Sequence, residues 1–96
     1  MTVLTPSSSI EKEAIPQLKF SNLETLQSTR ARVLRSHYLN RATQLGNLSK
    51  GKVRIYFKDE NNNLRHVNTT IRALTTDFVV LKQGVTLPIK SVVYIA

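Results

Sequence analysis

The chain has 96 residues, with 14 Lys and Arg against 6 Asp and Glu, giving a net charge of +8 and a pI near 10.3. It contains no cysteine, so disulfides, thiolate metal sites and cysteine nucleophiles are excluded. A hydrophobic fraction of 41% suits one small globular domain, and no apolar run approaches the roughly 18 to 20 residues that a spanning helix needs.

Residues 1–14 read as a flexible tail, small, polar and proline-broken around Thr5-Pro6-Ser7-Ser8-Ser9. Met1 to Ile10 shows no basic region followed by a long apolar run, so no secretory signal is expected and the simplest placement is cytoplasmic. From Ile15 to Ala96 we read a single domain. Ile15, Leu18 and Phe20 want cover, and Pro16 argues against a central strand, so Ile15 to Phe20 is expected as an extended arm over the domain.

The stretch Ser21 to Leu48 predicts one long amphipathic helix, over about residues 21–46. Ser21 and Glu24 form an S-x-x-E capping box, with Phe20 as a hydrophobic staple. Leu23, Leu26, Val33, Leu34, Tyr38, Ala42 and Leu45 recur at three- and four-residue steps and mark the expected packing face. Gly46-Asn47 is a plausible stop. Projection puts Arg32 and Arg35 on the opposite, solvated face. Arg30, His37 and Arg41 fall along the apolar face, where an arginine snorkels, pairs with Asp77, Glu60 or Glu24, or lines a site.

From Gly51 the period changes to alternation. Val53, Ile55 and Phe57 share one face, Lys58 to Asn63 is a polar hairpin loop, and Leu64 to Leu74 is a second strand. Phe78 to Leu81 is apolar on both faces, which predicts cover from the interior and from the helix. Pro88 sets the next strand at an edge or bend, and Val92 to Ile95 closes the chain. The expected fold is therefore α+β, with the long N-terminal helix packed on a five-stranded antiparallel barrel.

The spacing of Val53-x-Ile55-x-Phe57, Thr70-Ile71-x-Ala73, Asp77 to Lys82 and Leu87-Pro88-Ile89-x-x-Val92-x-x-Ile95 resembles the SH3-like and Sm-like small barrels over about residues 51–96. In those folds a polar turn precedes the third strand and an apolar-Pro-apolar segment feeds a short last strand. A helix ahead of the barrel also looks Sm-like. The likeness lacks the glycine and the aspartate-asparagine signature that Sm-like proteins place around their RNA pockets. The whole chain is similar to short basic proteins of Bacteroidetes-type bacteria, a likeness that implies no chemistry.

Catalytic constellations are lacking. His37 and His66 lie on different elements without metal spacing, no G-x-S-x-G elbow occurs, and glycines at 46, 51 and 84 cannot form a phosphate loop. We therefore expect no enzyme, no cofactor and no metal. The leading expectation is sequence-tolerant binding of RNA or DNA. Its candidate residues are Arg30, Arg32, Arg35 and Arg41 on the helix, Lys50, Lys52 and Arg54 at the helix–strand junction, and Tyr56 or Tyr94 as a base-stacking ring or a residue half-buried at the barrel rim. The alternative is a protein-interaction adaptor, using a barrel edge or the helix–barrel groove, with a homo-oligomer open through a swapped arm. Membrane binding by the basic helix is not expected, because the β-half needs its leucine face.

Overall fold

The computed structural model describes residues 7–96. Tail residues 1–6 lie outside the described residues. The elements are β1 (Ser8–Ser9), a 3-10 turn (Lys12–Gln17), α1 (Thr29–Ser49), β2 (Val53–Lys58), β3 (Leu64–Thr69), β4 (Ile71–Leu74), β5 (Phe78–Leu81), β6 (Thr86–Pro88) and β7 (Val92–Ile95). Short 3-10 turns at Lys82–Gly84 and Ile89–Ser91 link the last strands.

The fold is α+β with one long helix, but the strands differ from the expected five-stranded barrel. Among the described residues seven strands form two sheets, ordered β1-β3-β2-β7 and β4-β5-β6, and neither closes on itself. One pair, β1 with β3, is parallel. The predicted strand Leu64 to Leu74 breaks at Thr70 and changes sheet there. The corner is fixed by polar bonds: the Thr70 hydroxyl donates to the Lys50 carbonyl (3.3 Å), and the Thr70 carbonyl accepts from Lys82 N–H (3.1 Å). Past this corner Ala73 is exposed.

The core is the alternating face of both sheets. Ile55, Phe57, Val67, Ile71, Val79, Leu81, Leu87 and Val92 are fully buried. These are mostly β-branched or long aliphatic residues, which fit a half-buried pleat. The 3-10 turn at Lys12–Gln17 buries Ile15 in the same core and lies against β3 and β6, one strand from each sheet. The segment before the helix is thus coiled rather than an extended arm. Phe20 packs on Phe57, ring centroids 6.0 Å apart, not on the helix as a staple.

The helix starts eight residues later than predicted. Ser28 is the N-cap, accepting from Ala31 N–H at 3.3 Å. Ser21 and Glu24 instead form local turns, accepting from the Leu23 and Leu26 amides. The helix also runs through Gly46-Asn47 and ends at Lys50, which caps it in the left-handed conformation with φ 56°. Gly46 is needed inside the helix because a Cβ there would collide with the Ile71 carbonyl oxygen and sit 2.9 Å from Thr70 Cγ2. α1 therefore packs chiefly on β4 and β7.

Its buried stripe is Arg35, Leu39, Ala42 and Gly46, at steps of four, three and four. Of the predicted stripe only Ala42 is buried, while Leu23, Val33, Leu34, Tyr38 and Leu45 are exposed. The packed face is one residue, about 100° of helical rotation, from the most apolar one. Two causes act together. Small residues at 42 and 46 allow close approach to the sheet, and Arg35 has a carboxylate waiting. β5, expected to be covered twice, leaves Phe78 exposed, since α1 lies mainly elsewhere. No helix is long and apolar enough to cross a membrane among the described residues.

Candidate nucleic-acid interface

Thr25 to Lys58 carries eight cations and no carboxylate. Among the described residues the chain forms three ion pairs, Lys12–Glu13, Arg35–Glu24 and Arg65–Asp59, so the other eleven Lys and Arg form none. Among the described residues Arg35 is thus the single member of the acid-free stretch with a carboxylate partner.

Arg35 departs most from its predicted place. It is 6% exposed, not solvated. Its two terminal nitrogens donate to the Glu24 carboxylate at 2.8 and 2.6 Å, and one also donates to the Val92 carbonyl at 3.0 Å. Its Nε has no acceptor. The Arg35 hydrogen bond holds the Glu24 carboxyl below its ordinary value, against the opposing effect of burial. Arg35 ties the pre-helix segment and β7 to α1, and it is not available to a phosphate. Asp59 does comparable work in the hairpin loop. Burial pushes its carboxyl up, but the Arg65 bond and the Asn63 and Asn61 amides outweigh that and leave it lowered.

Arg30 and Arg41 are also misplaced by the projection. Both are exposed, and neither meets Asp77, Glu60 or Glu24 in an ion pair. Because the packed face is rotated, the line Arg30, His37, Arg41 faces solvent. Arg32 is half-buried at the start of the helix, within 3.4 Å of the Thr29 hydroxyl. Lys50 and Lys52 are exposed at the junction, and Arg54 is exposed on β2.

Arg54 points to the outer face of the four-stranded sheet. Its Nε–H donates to Asn68 Oδ1 (3.2 Å), and a terminal nitrogen lies 3.4 Å from the Tyr56 hydroxyl. Tyr56 is half-buried there, directly opposite His66 on β3 and Tyr94 on β7. The Ser7 hydroxyl and His66 Nδ1 are 2.7 Å apart. The strand alternation of Arg54 and Tyr56 against buried Ile55 and Phe57 was the sequence signal for this face. Tyr94 and His66 share it only through strand pairing, which no local pattern shows.

Two concave features adjoin these residues. A cleft of about 560 Å³ is lined by Phe20, Glu24, Arg35, Asp77, Phe78 and Lys90 among others, with two cations against two carboxylates. That balance gives it no net pull on an anionic polymer. A groove of about 290 Å³ runs between α1 and β7, lined by Ala31, Leu34, Tyr38, Val93 and Tyr94. Beyond it the exposed Leu34, Tyr38, Leu45 and Leu48 continue along α1. No group of three His, Asp or Glu stands together as a metal site among the described residues.

No family model, curated protein or solved structure matches this chain.

Proposed function

We propose that this chain is a non-enzymatic nucleic-acid-binding protein, taking RNA or DNA with little regard to sequence. The observation that carries this reading is the acid-free stretch Thr25 to Lys58, in which seven of eight cations have no carboxylate partner among the described residues. Unpaired, solvated cations gain most from phosphates, because binding releases the counterions condensed on the polymer. Arg30, Arg41, Lys50, Lys52 and Arg54 form the phosphate-contacting set, with Arg32 at its edge. Arg35 is removed from it and serves structure. Tyr56 supplies a ring beside Arg54.

We extend the proposal to an SH3-like or Sm-like arrangement of residues 51–96. It is supported by the β2–β3 hairpin, the strand that turns at Thr70, the β4-β5-β6 meander, and a 3-10 turn that returns β7 to pair with β2.

Titration of RNA and DNA at two salt concentrations tests the reading. Log affinity should fall with log salt by about 0.7 to 0.9 for each phosphate engaged, and Arg30→Gln with Arg41→Gln should flatten that slope. Absence of binding at low salt would end the proposal.

A second reading, a protein-interaction adaptor, is favoured by the exposed line Leu34, Tyr38, Leu45 and Leu48 and the groove beside it. Such a face fits an amphipathic helix of a partner or of a second copy. Affinity through it would be far less sensitive to salt.

A further inference from the structure

Three rings stand side by side on the outer face of the four-stranded sheet. Tyr94 of β7 and Tyr56 of β2 have centroids 5.9 Å apart, and Tyr56 and His66 of β3 are 5.6 Å apart. Each neighbouring pair is directly opposed in the strand register. Tyr94 is 55% exposed, and Tyr56 and His66 are half-buried. At one end the row meets the groove that Tyr94 and Tyr38 both line. Alongside it runs Arg54, braced by Asn68 and Tyr56.

We infer that this row is a stacking platform for unpaired bases, so that the polymer bound is a single strand rather than a duplex. The inference rests on the nucleic-acid reading above and sharpens it. Ring faces do nothing for a phosphate, but they stack on any base, whatever its identity. In a duplex the base faces are already covered by their neighbours. Nor does the surface fit a groove: the major groove of DNA admits a helix or a two-stranded ribbon, and here the rings span three paired strands. A single strand can lay successive bases on Tyr94 and Tyr56 while Arg54 holds the phosphate between them. Arg54 retains unused N–H donors for this, since its two bonds engage only Nε and one terminal nitrogen. Sequence tolerance follows, because stacking does not read hydrogen-bonding edges.

The test is fluorescence anisotropy with labelled oligouridylate and oligothymidylate of about 12 nucleotides, and with a duplex DNA of matched phosphate number. The proteins are wild type, Tyr94→Leu, Tyr56→Leu and Tyr94→Phe, each checked for folding by circular dichroism. Leucine keeps apolar cover on the sheet but has no ring face. Single strands should bind more tightly than the duplex. Each leucine variant should weaken single-strand binding about fivefold or more, and Tyr94→Phe by less than about twofold. Weak duplex binding should not change. If the leucine variants fold poorly, tyrosine emission in Tyr38→Phe replaces them: oligouridylate should quench it and the duplex should not. Equal affinity for duplex and single strand, or leucine variants that bind like wild type, would overturn the platform and leave the phosphate surface standing. No binding of any polymer at low salt would overturn both.

Discussion

Truncating Glu24 to alanine should destabilise the fold by about 2–3 kcal/mol. Arg35 is 94% buried by its relative exposure of 6%, and it donates three hydrogen bonds, two of them to Glu24 at 2.6 and 2.8 Å. Without the carboxylate the guanidinium keeps only the Val92 carbonyl, and Nε already lacks an acceptor. Breaking a fully buried pair costs about 3–5 kcal/mol, because a charge is stranded out of water. Glu24 is 23% exposed and borders the larger cleft, so water can reach part of the vacated space and the low end applies. Against a total stability on the order of 5–15 kcal/mol the loss is large. It corresponds to a fall in Tm on the order of 10–20 °C for a domain of this size. Urea unfolding followed by far-ultraviolet circular dichroism measures it, with the slope m unchanged and the midpoint lowered. The double variant Glu24→Leu, Arg35→Met should recover most of the loss, since an apolar pair leaves no charge stranded. A Glu24→Ala midpoint within about 0.5 kcal/mol of wild type would show that the guanidinium is hydrated in place, and the reasoning would fail.

Acid should destabilise the protein through Glu24 and Asp59. Both carboxyls lie below their ordinary values of 4.5 and 3.8 in the folded chain, so their contribution is complete above those values and is lost as pH falls through the lower folded ones. Glu24→Gln should flatten that acid limb in pH-dependent urea melts. Gly46→Ala should destabilise by about 1–3 kcal/mol, although alanine is the better helix former by about 1 kcal/mol, because its Cβ meets the Ile71 carbonyl; a stabilised variant would mean that α1 lifts freely from β4. Lys50→Gly should stabilise by about 0.5–1 kcal/mol by relieving the left-handed cap, and should weaken polymer binding if Lys50 meets phosphate. Arg41→Gln should leave the thermal midpoint within error, because the side chain is exposed, while reducing the salt slope of polymer binding.

Much of the strand half was legible from alternation. Val53, Ile55 and Phe57 face inward or partly so, and Leu87 and Val92 are buried as their patterns require. What alternation cannot carry is where a strand changes partner. The break at Thr70 depends on hydrogen bonds to Lys50 and Lys82, one 20 residues earlier and one 12 later. The helix was readable as a helix, but not its contact face. Counting apolar residues favours Leu34 and Tyr38, whereas contact distance favours Ala42 and Gly46. The capping motif at Ser21 was chemically sound, yet Glu24 is worth more as a partner to a buried arginine than as a cap. That preference is set by tertiary structure. For the candidate interface, charge singled out the cations at 30, 41, 50, 52 and 54, but the helical projection set Arg30 and Arg41 on the packing face rather than in solvent. The ring row was not legible, since Tyr56, His66 and Tyr94 meet only through strand register, and β7 lies far along the chain from β2.

The segment ahead of α1 has a consequence for the order in which the chain folds. Its long-range backbone partners come late: Ile10 N–H donates to the His66 carbonyl, the Lys19 carbonyl accepts from Glu60 N–H, and Thr25 N–H donates to the Lys90 carbonyl. Ile15, between the two sheets, has nothing to rest on until β3 and β6 exist. Closing such long loops early would sacrifice chain entropy before any contact rewards it. The local contacts of the helix and the β2–β3 hairpin favour their forming first, with the segment ahead of α1 docking last. Substitutions at Ile15 should therefore speed unfolding while leaving the folding rate nearly unchanged.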